Sequence, residues 1–141
     1  MTANAYRHAV DGYVASGCDA GYIPDEWIVD EMNKISHRPY GTGFYFGMPS
    51  QHLKQGGYIR SYEVAAVVEG WEDGYIITTQ RNRYFPGHPL DALEPGGKPF
   101  VFVPDRLLDE EKHPLESANH PMMRVYIPFD RPLKPGTLLR Y

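Results

Sequence analysis

The sequence predicts a mainly β protein, a small antiparallel β-barrel preceded by two short α-helices, and three observations carry that expectation. Apolar residues recur at helical spacing only before residue 36, and beyond it the pattern changes to alternation or short apolar runs. Thirteen prolines and fourteen glycines punctuate the chain, which suits many tight turns. Aromatics make up 13% of the residues and supply the bulk that short strands need for a core. At 141 residues the chain is the size of one domain and buries roughly 70% of its unfolded surface, leaving no room for a second.

The first helix is predicted over 3–15, where Ala5, Ala9, Val10, Tyr13 and Val14 recur at helical spacing, and it ends near Ser16-Gly17. It starts almost at residue 1 without an obvious cap or partner, so we expect it to be the cut end of something longer. A second helix is predicted from Pro24 or Asp25 to Ile35. Proline suits its first turn, Asp25 and Glu26 complement the positive end, and Lys34 sits in the last turn. Trp27, Ile28, Met32 and Ile35 would form one buried stripe. Pro39, Gly41, Gly43 and Gly47 then make a hinge around three consecutive aromatics. The division expected is a helical arm over 1–36 and a β-barrel over 37–141.

Seven strands are predicted, over 43–46, 58–69, 75–82, 89–94, 99–103, 123–128 and 137–140. Val64 to Val68 is apolar on both faces, as for a strand covered on both sides. Glu72-Asp73-Gly74 marks a tight turn that joins this strand to the next as a hairpin. Several such strands between turn signals suggest a closed or nearly closed barrel.

Composition narrows function by exclusion. A formal charge of −4 leaves no overall positive excess for nucleic acid or membrane, so any polyanion site is a local patch. A single cysteine, Cys18, rules out an internal disulfide and fits a reducing compartment, and the expected location is the cytoplasm. No run approaches the ~20 apolar residues of a spanning helix, and no membrane partner is expected. Phosphate-loop, dinucleotide, zinc-protease and serine-hydrolase motifs are absent, so neither a cofactor nor a catalytic residue is predicted. The six histidines lack ligand spacing, and no metal site is expected. The acidic stretch from Asp105 to Glu116 reads as a solvated loop or short helical turn.

The candidate binding patch is Gln80-Arg81-Asn82-Arg83-Tyr84-Phe85, which sets two arginines beside two aromatics at a strand end. Guanidinium forks grip phosphate and aromatic rings stack on bases, a mixture suited to single-stranded or looped RNA. Arg38, Arg60 and Arg124 would extend the patch if they shared its face, and His37 and His120 join the candidates at turns.

Four segments also resemble one family. They are Lys34-Ile35-Ser36-His37-Arg38-Pro39-Tyr40 followed by Thr42 to Gly47; Gln80-Arg81-Asn82 with Gly87 after it; Ser117-Ala118-Asn119-His120-Pro121; and Leu138-Leu139-Arg140. Together they resemble the C-terminal part of the collagenase-like peptidase family U32. That resemblance implies a barrel similar to those of translation elongation factors, joined to a larger N-terminal catalytic domain. It implies a parent that is either a peptidase or a factor in tRNA or ribosomal RNA hydroxylation. Where related tails usually have Gly-Asp, this chain has Gly87-His88. The function expected is a non-catalytic accessory domain that docks or presents a macromolecular substrate to the N-terminal catalytic domain of the same polypeptide. The alternatives are an RNA-binding module, capture of a polypeptide by strand addition, and a purely structural lid.

Overall fold

A computed structural model of the chain describes residues 1–37, 43–48, 59 and 61–141. Two helices, α1 (Thr2–Ala15) and α2 (Glu26–Asn33), precede eight strands. Gly17 ends α1 at a φ of 76°, and the Cys18 N–H returns to the Tyr13 carbonyl at 3.0 Å, closing off the helix C-terminus. Helix α2 is shorter than predicted at both ends. The Asp25 carboxylate makes no cap bond, because it is taken by Lys98 at 2.9 Å and the Trp27 indole at 3.1 Å.

The strands are β1 (Val64–Glu72), β2 (Tyr75–Gln80), β3 (Leu90–Leu93), β4 (Phe100–Phe102), β5 (Leu107–Leu108), β6 (Pro114–Leu115), β7 (Arg124–Pro128) and β8 (Leu138–Arg140). They form one antiparallel sheet in the order β4-β3-β8-β1-β2-β7-β5-β6. The β1–β2 hairpin forms as expected. Asp73 and Gly74 both take positive φ, the backbone of a two-residue turn whose twist matches the flanking strands. Ala65 and Ala66 are both fully buried, so consecutive β1 residues are covered on both faces. The core gathers around Val68, Ile76, Val125, Ile127 and Leu139, with Phe100, Phe102 and Phe129 packed at its margin.

The expected closed barrel is not formed. Among the described residues no ladder joins the terminal strands β4 and β6, so closure gives no support to a likeness with elongation-factor barrels. Both terminal strands are short: β4 has three residues and is followed within two by Pro104, and β6 has two, one of them Pro114. Proline has no N–H to give to a ladder, and such short edges offer too few groups to pair. The predicted strand at 43–46 is also not formed. Gly43 and Gly47 take positive φ, Gly47 N–H closes a turn on Phe44, and Phe44, Tyr45 and Phe46 are exposed. Strands β5 and β6 occupy the acidic stretch that reads in sequence as a loop or helical turn. Each is two residues long, too short for any periodicity to register.

The predicted stripe on α2 is only partly buried. Ile28 is enclosed, Trp27, Met32 and Ile35 are half-buried, and the residue most fully enclosed is Glu31. Arg140 of β8 grips it as a fork, with Nη1 and Nη2 donating to the two carboxylate oxygens at 2.8 Å each. Arg140 Nη2 also donates to Asp91 Oδ2 of β3 at 2.8 Å, and Lys34 Nζ reaches the same oxygen at 2.8 Å. Two carboxylates and two cations thus neutralise one another where α2 meets the sheet. At the other helix, Asn4 exchanges bonds with Gly97 O and Gly96 N in the β3–β4 turn, at 2.9 and 3.0 Å.

Breaking this cluster on one side leaves buried charge without a partner, which typically costs about 3–5 kcal/mol, whereas apolar replacement of a whole cluster is often neutral. Arg140→Met is therefore expected to lower the denaturant midpoint severely, and the quadruple change Arg140→Met/Glu31→Met/Asp91→Leu/Lys34→Met to recover much of the loss. Equal midpoints for the single and quadruple variants would refute the ion cluster as the cause. The pH dependence has two limbs. Burial pushes the Glu31 carboxyl up, but the Arg140 bonds and charge, with Lys34, bring it below the ordinary 4.5. Its contribution is full above pH 4.5 and is lost as pH falls through the depressed folded value. Burial lowers Lys34, yet Asp91 and Glu31 carry it above 10.5, so its contribution is full below that pH and is lost as pH rises through the folded value. Chemical denaturation across pH should show a plateau between these limits, and a native protein as stable at pH 3 as at pH 7 would contradict it.

Candidate nucleic-acid interface

Strand β2 ends at the buried Gln80, and the chain then turns outward. The Arg81 and Asn82 N–H groups both donate to the Ala65 carbonyl, at 2.7 and 3.1 Å, and the Asn82 side chain donates to Val64 O at 2.8 Å. These bonds fix the segment against the start of β1 and present the Arg81 and Arg83 side chains to solvent. On the other side, Tyr84 and Ala118 exchange backbone bonds as an isolated bridge, at 3.4 and 2.9 Å. Arg83 Nη2 lies 3.5 Å from Ser117 Oγ, and Arg81 Nη1 touches Met122 Sδ. The structure thus brings together two segments far apart in sequence, 80–84 and 117–122, at one end of the sheet.

The candidate residues differ in what they can do there. Arg81, Arg83 and His120 are exposed. Tyr84 is 2% exposed, its hydroxyl paired with Thr78 Oγ1 at 3.1 Å, and burial pushes its phenol up to about 12. Its ring belongs to the core, so the nearest aromatic surface is the half-buried ring of its neighbour Phe85. The Arg83 guanidinium lies 4.8 Å from the Phe85 ring centre, and the His88 ring is 5.5 Å from Phe85 on the other side of the Pro86-Gly87 turn. These rings border a cavity of about 310 Å³. His37 stands apart at the end of α2, its Nδ1 2.6 Å from the Ile35 carbonyl and its backbone paired with Ile59. Arg38 and Arg60 lie outside the described residues. Arg124 does not extend the patch, because it is ion-paired with Glu69 at 3.1 Å.

Arg7, Lys34, Lys98, Arg124, Arg131 and Arg140 have carboxylate partners. Among the described residues Arg81, Arg83, Arg106, Lys112 and Lys134 are in no salt bridge; Lys112 lies over the Tyr126 ring and Lys134 donates to the Pro95 carbonyl. Arg81 and Arg83 are set apart by standing close together at one strand end, and the Arg81 charge also reaches Glu69, whose carboxyl is held below 4.5 chiefly by its Thr79 bond. A larger cavity, of about 770 Å³, is bordered by Glu69, Asp109, Glu110 and Glu111, and its carboxylates would repel a phosphate chain. Beside it Asp109, Glu111 and His113 bring ligand atoms within 4.8 Å of one another and are the described group that could hold a cation. Asp109 Oδ1 is already engaged by the Glu111 and His113 N–H groups, at 2.9 and 2.8 Å, so the arrangement is explained by the turn it stabilises. Cys18 is free and exposed at the end of α1.

The signal for Phe85 and His88 was present in the sequence as aromatic residues flanking a Pro-Gly turn. What it lacked was the fold of that turn, which brings His88 back onto Phe85. Nothing local marked residues 117–122 as neighbours of Arg81, since that contact depends on where β7 pairs.

Comparison with known proteins gives the chain its relatives. It is 25% identical over 146 aligned residues to the tRNA hydroxylation protein P1 of Bacillus subtilis (strain 168), an alignment covering 97% of this chain and 33% of that protein. The chain therefore spans about a third of this curated relative's length. Two crystal structures of the C-terminal domain of a Geobacillus thermoleovorans protein assigned to the U32 peptidases share its fold. The selenomethionine form superposes with a TM-score of 0.53 at 31% identity, covering 56% of this chain and 99% of that domain. The second gives 0.51 at 30% identity, covering 55% and 89%. The model of the peptidase family U32 C-terminal domain matches residues 60–140, which hold all eight strands. The chain belongs to the peptidase family U32 C-terminal domain family.

Proposed function

We propose that this chain is a non-catalytic, RNA-contacting accessory domain that presents an RNA substrate to the N-terminal catalytic domain of a U32-family protein acting in RNA modification. The observation that carries the reading is the pair of arginines, Arg81 and Arg83, held outward side by side at one end of the sheet and in no salt bridge among the described residues, in a chain of formal charge −4. Guanidinium groups left free in an acidic molecule suit phosphate, which accepts two parallel N–H bonds from each fork. His120, exposed on the segment bridged to Tyr84, adds a donor, and Asn82 serves by pinning the arginine segment to β1. The tRNA hydroxylation protein to which the chain is similar supports RNA as the substrate class.

Residues 1–36 act in this reading as the arm between the two domains, and 37–141 as the body that carries the interface. His37, whose backbone pairs with Ile59 at the junction of arm and body, orients the two rather than touching RNA. Polypeptide capture by strand addition is less well supported. The free edges β4 and β6 are three and two residues long, and β6 carries a proline, so neither offers the row of main-chain groups that strand addition uses.

Fluorescence anisotropy of the 141-residue chain with bulk tRNA tests the reading. Micromolar binding is expected, weakening roughly tenfold between about 50 and 200 mM salt as the two arginine–phosphate contacts release counterions. Arg81→Ala/Arg83→Ala should abolish it, while Arg7→Ala, on α1, should leave it unchanged. Binding that is equal in both variants would refute the arginine end as the interface.

A further inference from the structure

Beside the arginine end, the cavity of about 310 Å³ has a lining unlike that of an ordinary surface cleft. Its walls are the rings of Phe85, His88 and Tyr141, with the buried Tyr84 and Leu90 contributing further apolar surface and the Arg83 guanidinium supplying the charge. No Asp or Glu belongs to the lining. Glu63 accepts a bond from the Tyr141 hydroxyl at 3.4 Å and is not part of the lining. The volume lies at the lower end of the ~300–1,000 Å³ of small-molecule sites. A flat, aromatic ligand bearing an anionic group matches such walls better than an aliphatic or cationic one. Rings stack or meet edge to face with Phe85 and His88, while Arg83 pairs with the anion or lies over the ring face.

We infer that this cavity is a slot for a single unstacked nucleobase, with the adjoining phosphate held by Arg83. The inference rests on the RNA-contacting reading for the source of the base, and the slot's chemistry, a nucleobase carrying a phosphate, is the same for a free nucleotide. Arg81 follows β2 two residues before Arg83, so it is placed to take a further phosphate of the same strand. A base drawn into the slot would leave the strand's continuous stack, which single-stranded or looped RNA permits and a duplex resists.

The test uses the 141-residue chain and four probes: AMP, UMP, ribose 5-phosphate, and a short single-stranded ribo-oligonucleotide with or without one abasic position. In ¹H–¹⁵N NMR titrations the two mononucleotides should shift the Phe85, His88 and Tyr141 amides with millimolar affinity, and ribose 5-phosphate should not. Phe85→Leu, which keeps an apolar filler but removes the ring, and the exposed His88→Ala should each weaken mononucleotide binding about tenfold. The same changes should remove the preference for the intact over the abasic oligonucleotide. Equal shifts from ribose 5-phosphate would overturn the base slot in favour of a bare anion site. Mononucleotide failure with salt-sensitive tRNA binding intact would overturn the slot and leave the RNA reading standing. Mononucleotide binding without tRNA binding would support the slot and overturn RNA as its source.

Discussion

Arg140, Glu31, Asp91 and Lys34 form the contact on which the placement of the helices depends. Charges buried at this depth are tolerated only where geometry is good and partners are complete, since each loses its hydration. Here the guanidinium fork meets both oxygens of Glu31 and one of Asp91, and Lys34 completes the neutralisation. Within this cluster, Arg140 Nε and Asp91 Oδ1 are the buried atoms that the described residues leave unmatched. A bidentate pair is directional, so it fixes the rotation of α2 over β3 and β8 in a way that Ile28 alone, packing without direction, could not.

The anchoring of β8 has a second consequence. β8 lies between β1 and β3, and β1 carries the hairpin to β2. Holding β8 to the helix therefore holds the middle of the sheet, and the residues following β2 emerge from a fixed frame. The Ala65 carbonyl, which receives both Arg81 and Asn82 N–H groups, belongs to that same frame. An interface built from irregular backbone needs such support, because a loop segment without it would lose the arginine arrangement to conformational freedom.

The open sheet and the exposed face of α1 give the domain its outward character. Tyr6, Val10, Tyr13 and Val14 lie along one side of α1 and are 42–61% exposed, while only Ala5 of that helix is buried. The two short sheet edges end in proline-bounded segments, which limits pairing between copies. The arginine end stands out because Arg81 and Arg83 are exposed, close together and in no salt bridge among the described residues.

Much of this was written in local sequence. Helical spacing before residue 36, Asp73-Gly74 at the hairpin, the doubly apolar Val64–Val68 run and the arginine–aromatic segment each report on residues close together in the chain, where period and turn chemistry act directly. What required the tertiary structure were relations between distant residues. The burial of Glu31 depends on Arg140, 109 positions away, which supplies its partner. Tyr84 reads as a stacking platform until the sheet encloses it, and Phe85 becomes one only when His88 and Tyr141 arrive beside it. Barrel closure likewise depended on whether two very short, proline-limited strands could meet. Such outcomes are decided by long-range packing and desolvation, which no window of neighbouring residues contains.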